Sequence, residues 1–162
     1  MTPPYRSLLD SPIGWLIIEA NDHAITRIAW CDDVSPPEPN ASELTQTASA
    51  QLHDYFNGQR QQFNLPLAPI GTEFQQRCWQ ALCVIPYGAT RSYADQAQAI
   101  AHPQSVRAVG QANGANPIAI VIPCHRVIGA NGRLTGYTGG LNRKRWLLAC
   151  EHTPQHETAS HP

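Results

Sequence analysis

Between Gln59 and Gly71 the chain carries Pro66 and Pro69 in a stretch that reads as a linker, and Thr72-Glu73-Phe74-Gln75 follows at once. Those four residues match a capping box, in which a hydroxyl side chain and a glutamine three positions on satisfy each other's backbone donors and start a helix. This junction constrains the fold more than any other feature, because it divides the 162 residues into two units of different character. We place an N-terminal support unit at 1–68, a second unit at 69–152, and a tail at 153–162 whose composition predicts disorder.

In the first unit Trp15-Leu-Ile-Ile-Glu-Ala and Ala24-Ile-Thr-Arg-Ile-Ala-Trp30 are β-branched and aromatic runs split by the polar Asn21-Asp22-His23, which predicts a β-hairpin. A proline-rich loop follows. Leu44, Ala48, Leu52 and Phe56 then recur at four-residue steps and end at Gly58, the pattern of an amphipathic helix with a glycine stop. The unit is therefore α/β, and it carries no chemical constellation of its own.

The second unit opens with a helix that places Phe74, Cys78, Ala81 and Leu82 on one face, so Cys78 reads as core, and Cys83 and Cys150 take the same default. Ile85-Pro86-Tyr87-Gly88 stops that helix. Ser92 can cap a helix from Tyr93 to about Ile100, and after Ala101-His102-Pro103 a second helix is predicted from Gln104 to about Ala112. Two short helices joined by a tight turn have helix-turn-helix spacing. On the second of them Arg107 stands among the small residues Ala108, Gly110, Ala112 and Gly114, a face that could approach a nucleic-acid groove or pack against another helix. The apolar run Ile118-Ala-Ile-Val-Ile122 predicts a buried strand that delivers Cys124, and Asn131-Gly132 between Val127-Ile128 and Leu134–Tyr137 predicts a hairpin wing. A final helix is expected from Leu141 to about Cys150.

The overall charge of −1 hides an asymmetry. Residues 1–75 carry three basic side chains against nine acidic ones, whereas 76–150 carry eight, seven of them arginine, against Asp95 alone. An arginine-rich surplus favours a polyanionic partner, because the guanidinium grips phosphate with two parallel donors. No apolar run approaches the roughly 20 residues of a membrane helix, and MTPPYRSLLD lacks the basic start and apolar centre of a signal peptide, so we expect a cytoplasmic protein without a membrane partner. Five cysteines at irregular spacing argue against a disulfide framework.

Chemistry concentrates at Pro123-Cys124-His125-Arg126. A thiol attacks as thiolate, so a nucleophilic Cys124 needs a base, and His125 is adjacent in sequence. Neighbours on an extended chain face apart, so a water or a bend would have to relay the proton. A carboxylate orienting the base could come from Asp95 or Glu151, nearly the only acidic residues in this region. Three readings remain open on these grounds: a buried structural thiol, a nucleophile, or a metal ligand. A metal site assembled from His23, Cys31 and His53 is a further, weaker option on spacing.

The segments FQQRCWQALCVIPYG, SYADQAQAIA, RAVGQANGANP, IPCHRV, GYTGGL and RWLLACE occur in an order and spacing that resemble the O6-alkylguanine-DNA alkyltransferases over roughly residues 72–151. The resemblance implies an α+β protein with a small N-terminal α/β, ribonuclease H-like domain and a C-terminal helical winged helix-turn-helix domain. It implies repair of double-stranded DNA by flipping out O6-alkylguanine and moving its alkyl group irreversibly to Cys124, in one turnover and without cofactor or metal. O4-alkylthymine is left open as a second substrate, as is cooperative binding by an otherwise monomeric protein. By motif position His125, oriented by Glu151, would deprotonate Cys124 through a water, Asn116 would brace the site, and Tyr93 would protonate the departing guanine. Arg107 would fill the gap left by the flipped base, its helix entering the minor groove, with Ala108, Gly110, Ala112 and Gly114 allowing close approach. Backbone groups near Val127 and Tyr137-Thr138 would line the base pocket, although relatives often carry serine at position 138. Two other readings compete: a winged-helix lesion-binding protein with a structural Cys124, and a Cys-His hydrolase that turns over repeatedly.

Overall fold

The computed structural model describes residues 5–32 and 38–152; the predicted disordered tail and most of the proline-rich loop lie outside these residues. Three strands, β1 (Tyr5–Ser11), β2 (Gly14–Ala20) and β3 (Ile25–Cys31), form an antiparallel sheet in the order β1-β2-β3. The predicted hairpin is β2–β3, with the Asn21 side chain accepting the backbone N–H groups of His23 (2.7 Å) and Ala24 (2.8 Å) at the turn. Strand β1 was not anticipated. Its inward residues include Ser7 and Ser11, so it has no apolar alternation, and Ser7 is satisfied across the core by Thr45 at 2.8 Å.

Helix α1 (Glu43–Phe56) covers the sheet and ends at Asn57-Gly58, with Gly58 at φ +75° in the left-handed region that glycine enters freely. Then come α2 (Glu73–Cys83), a two-residue strand β4 (Arg91–Ser92), α3 (Tyr93–Ala99), α4 (Val106–Gly114), a single 3-10 turn at Cys124–Arg126, β5 (Val127–Ile128) and α5 (Leu141–His152). Ser42, Thr72 and Ser92 each form a reciprocal capping box, which fixes where α1, α2 and α3 begin. Each such cap contributes about 1 kcal/mol. Helix α4 starts two residues later than predicted: its N-cap, Ser105, has no side-chain cap bond, and Pro103 lies in the preceding turn.

The linker does not separate two cores. Leu16, Ile18, Leu52 and Tyr55 of the first unit share one apolar cluster with Trp79, Val109, Ile118 and Leu147 of the second. The backbone is stitched as well: β3 receives Pro117–Ala119 through Ile28 N–H to the Pro117 carbonyl and Ala119 N–H to the Ile28 carbonyl, both at 2.9 Å. Between α3 and α4 a buried Gln96–Asn113 amide pair exchanges two hydrogen bonds, 2.9 and 2.8 Å, and the Trp79 indole donates to the Ala112 carbonyl at 2.9 Å. The helix pair is thus locked to α2 by buried polar bonds as well as by packing.

Several expectations need correction. Ile118–Ile122 is not a strand: after its bridge to Ile28 the chain turns, with Ile120 at φ +72°, and Ile118, Ile120 and Ile122 are buried from a compact loop. Continuous apolarity reports burial, and a tight buried loop satisfies it as well as a strand does. The Asn131-Gly132 turn exists, with Gly132 at φ +75°, but no hairpin flanks it. Val127-Ile128 pairs instead in parallel with Arg91-Ser92. Cys83 is exposed and Cys150 half-buried, because only Cys78 falls on the inward stripe of its helix. Among the described residues no His, Cys, Asp or Glu group could hold a metal ion, His23, Cys31 and His53 included, and no helix is long and apolar enough to cross a membrane.

Candidate active site

The turn after α4 and the 3-10 turn bring Cys124 to the floor of a cavity of about 450 Å³, also lined by Tyr93, Gly110, Asn113, Gly114 and the loop Thr135–Thr138. Asn116 holds the floor in place. Its Oδ1 accepts the Ile118 N–H (2.9 Å), and its Nδ2 donates to the Ile122 carbonyl (2.8 Å) and to Cys124 Sγ (3.2 Å). The left-handed Ile120 lies inside the turn that Asn116 spans, so a conformation costing about 1–3 kcal/mol is held in the loop that leads to Cys124. Burial raises the Cys124 pKa, partly offset by the Asn116 hydrogen bond and by the nearby Lys144 cation, so the resting group is a thiol.

His125 is fully buried, with Nε2 2.7 Å from Glu151 Oε2. Glu151 is held at about 2: burial pushes its pKa up, but hydrogen bonds and charges from His125 and Arg126 more than offset this. The carboxylate is therefore ionised and accepts, which puts the imidazole proton on Nε2 and leaves Nδ1 as the basic atom. That Nδ1 is buried without a partner among the described residues. Burial lowers the pKa of His125, with Glu151 opposing, so the ring is neutral at neutral pH.

Two participants were not anticipated in these roles. Arg126 grips Glu151 with Nε to Oε1 (2.7 Å) and Nη2 to Oε2 (3.0 Å), while its Nη1 donates to the Ile85 carbonyl (2.7 Å). Tyr55, from α1 of the supposedly passive first unit, donates its buried hydroxyl to Glu151 Oε2 at 2.6 Å. The available signal for Tyr55 was its place three residues after Leu52, beside the apolar stripe, since a buried tyrosine hydroxyl needs a partner. Tyr55→Phe is expected to destabilise the fold by about 1–2 kcal/mol in urea unfolding, the cost of one lost charge-assisted hydrogen bond, and to slow chemistry at Cys124 several-fold. Unchanged unfolding and unchanged rate together would show that the hydroxyl does not support the carboxylate.

Lys144 is the third surprise. Counted from sequence in the basic surplus of residues 76–150, it is fully buried, its Nζ donating to the carbonyls of Thr135 (2.7 Å) and Gly136 (3.3 Å) and lying 5.9 Å from the Tyr93 ring centroid. Tyr93 itself faces the cavity, and its hydroxyl shares 3.3 Å contacts with the Thr135 carbonyl and hydroxyl. Thr138 also lines the cavity and donates to the Gly114 carbonyl at 2.6 Å, tying the cavity loop to the end of α4.

The remaining sequence-predicted residues divide. Arg107 and Gly114 are exposed on α4, Ala108 and Gly110 are half-exposed, and Tyr137 lines the cavity. Ala112 is 3% exposed and sits in the core, so its side chain does not share the exposed face. The Val127 side chain is fully buried in β5, and the cavity lining includes Thr135, Gly136 and Asn113, which were not expected from the sequence. The basic surplus also shrinks at the surface: Arg126 and Lys144 are internal, and Arg143 pairs with Asp32 at 2.6 Å, leaving Arg91, Arg107, Arg133 and Arg145 among the exposed cations.

The sequence matches "6-O-methylguanine DNA methyltransferase, ribonuclease-like domain" over residues 5–69 and "6-O-methylguanine DNA methyltransferase, DNA binding domain" over residues 73–153. It is 49% identical over 158 residues to the methylated-DNA–protein-cysteine methyltransferase of Mycolicibacterium paratuberculosis, covering 93% of this chain and 94% of that protein. The corresponding protein of Methanosarcina barkeri is 44% identical over 152 residues, covering 91% and 96%. Among solved structures, Mycobacterium tuberculosis OGT in complex with DNA aligns with a TM-score of 0.83 at 49% identity, covering 90% of this chain and 91% of that chain.

Proposed function

The chain belongs to the 6-O-methylguanine DNA methyltransferase family, and from that premise we propose that Cys124 is the thiol that accepts the alkyl group. The protein repairs DNA by alkyl transfer to cysteine, and its partner is DNA. The observation that carries the assignment is the chain of contacts from Asn116 to Cys124 and from His125 through Glu151 to Arg126 and Tyr55, set at the floor of a cavity open beside α4.

The geometry suggests the following course. An O6-alkylguanine leaves the duplex and enters the cavity, where Tyr93 and the Thr135–Thr138 backbone meet it. His125 Nδ1 takes the Cys124 proton through a water, while Glu151 holds the ring and stabilises the imidazolium that forms. The sulfur attacks the alkyl carbon and the C–O bond breaks. Tyr93 delivers a proton to the guanine as it departs. The thioether product has no step that regenerates the thiol, so each monomer acts once. A cytoplasmic location, where thiols stay reduced, suits this chemistry.

Incubation with duplex DNA carrying O6-methylguanine is expected to add one methyl mass to the peptide containing Cys124 and to stop at one equivalent. A methyl on another cysteine, or none, overturns the assignment. Continued turnover on a small ester or peptide would favour a hydrolase instead.

A further inference from the structure

One wall of the cavity beside Cys124 is the segment Thr135–Thr138, part of a loop that runs on to Gly140 without regular secondary structure. Its inner side is held by Lys144 on the Thr135 and Gly136 carbonyls and by Thr138 on Gly114. Its outer side rests on the other unit. A Cβ at Gly139 would stand 2.5 Å from Nε1 and 2.6 Å from Cδ1 of Trp30, the penultimate residue of β3, and 2.9 Å from Cε2 of Tyr137. The Trp30 and Tyr137 rings therefore converge over the Gly139 backbone, and only glycine fits between them.

Trp30 is itself clamped. The Arg143 guanidinium lies 4.6 Å from its ring centroid, a cation–π distance, and is fixed by bonds to the Ile13 carbonyl (2.8 Å), to both Asp32 carboxylate oxygens (3.2 and 2.6 Å) and to the Gly139 carbonyl (3.3 Å). Meanwhile Trp30 Nε1 and the Tyr137 hydroxyl, both buried, face each other: the indole N–H opposes the upward push of burial on the phenol's pKa, and neither atom has another hydrogen-bond partner among the described residues. The two polar tips thus meet each other, which ties the indole to the Tyr137 ring behind the cavity.

Resting on the reading that Cys124 accepts the alkyl group, we propose that Trp30, clamped by Arg143, is a specificity-determining residue: it sets the back of the base pocket through Gly139 and Tyr137 and so limits the size of the alkyl group transferred. The first unit then backs a wall of the pocket as well as supporting Glu151. Removing the indole opens a space behind Tyr137 into which that ring can retreat, enlarging the pocket on the side away from α4.

The test compares single-turnover transfer from duplexes carrying O6-methylguanine or O6-benzylguanine at one position, for wild type, Trp30→Ala and Trp30→Phe, each rate taken from the fraction of protein that becomes alkylated. For Trp30→Ala the benzyl-to-methyl rate ratio is expected to rise at least about 5-fold, with Trp30→Phe close to wild type, since a phenyl ring keeps most of the wall. Arg143→Gln, which loosens the clamp and leaves the indole, should move the ratio the same way by a smaller factor, and it serves if Trp30→Ala does not fold. A ratio unchanged in the folded variants overturns the proposal, whether both rates fall together or neither moves. Absence of methyl on Cys124 in the wild type would instead overturn the functional reading on which it rests.

Discussion

Glu151→Gln is expected to lower the melting temperature by roughly 10 °C and to slow alkyl transfer at least about 100-fold at a temperature where the variant remains folded. The carboxylate is shared by three buried donors, His125, Arg126 and Tyr55, and the amide leaves the Arg126 guanidinium buried without its counter-charge. Breaking one side of a buried pair costs about 3–5 kcal/mol, which sets the scale of the melting shift. The rate falls for a second reason: an amide can present its NH2 to the imidazole, which reverses the tautomer and removes the basic Nδ1. The pH dependence separates charge from shape. The folded pKa of Glu151 is about 2, below its ordinary 4.5, so its contribution is present above pH 4.5 and is lost as pH falls toward 2. The stability gap between wild type and variant, read from urea midpoints, should therefore be full at pH 7 and shrink between 4.5 and 2. A gap independent of pH would mean that the substitution acts through packing alone. His125, whose pKa is also lowered, adds a loss of stability in both proteins as pH falls below 6.5 through its folded value.

The parts of this fold that were legible in the sequence are those specified locally. Ser42, Thr72 and Ser92 each announce a helix because capping is settled within four residues, and Asn21 announces the β2–β3 turn for the same reason. What was not legible depends on distant partners. Strand β1 looks polar until Ser7 meets Thr45, 38 residues on. Ile118–Ile122 looks extended because nothing local reveals that Asn116 and β3 will fold it into a turn. The same divide runs through the site. Cys124, His125 and Asn116 lie within nine residues of one another, and the family resemblance placed Glu151 and Tyr93 beside them. Tyr55 is 96 residues from the carboxylate it supports, and Lys144 looks like one more surface cation until its partners, two backbone carbonyls, are in place. Backbone carbonyls leave no trace in a sequence, which is why buried cations are harder to foresee than buried acids that must find arginine.

Arg107→Ala is expected to slow repair in duplex DNA by about 10–100-fold while changing transfer from the free alkylated base by less than about 2-fold. The residue is exposed near the start of α4, whose other end, at Asn113 and Gly114, borders the cavity above Cys124. We propose that from there its side chain reaches a duplex laid along the helix and occupies the space from which a base has swung out. Extrusion costs a few kcal/mol of stacking and pairing, and a side chain that fills the gap offsets part of it, about 1–3 kcal/mol on the factor expected here. A free base pays no such cost, so the two substrates isolate flipping from chemistry. If Arg107 instead only met a phosphate, its loss would weaken all duplexes alike and reduce the salt slope of binding by about one, leaving transfer from saturated duplex unchanged. Equal slowing on duplex and free base would place the defect at Cys124 and reject the role altogether. The half-exposed Ala108 and Gly110 beside it give the control: Ala108→Leu adds bulk where the backbone would approach the groove, and should weaken duplex binding while leaving the free-base reaction intact.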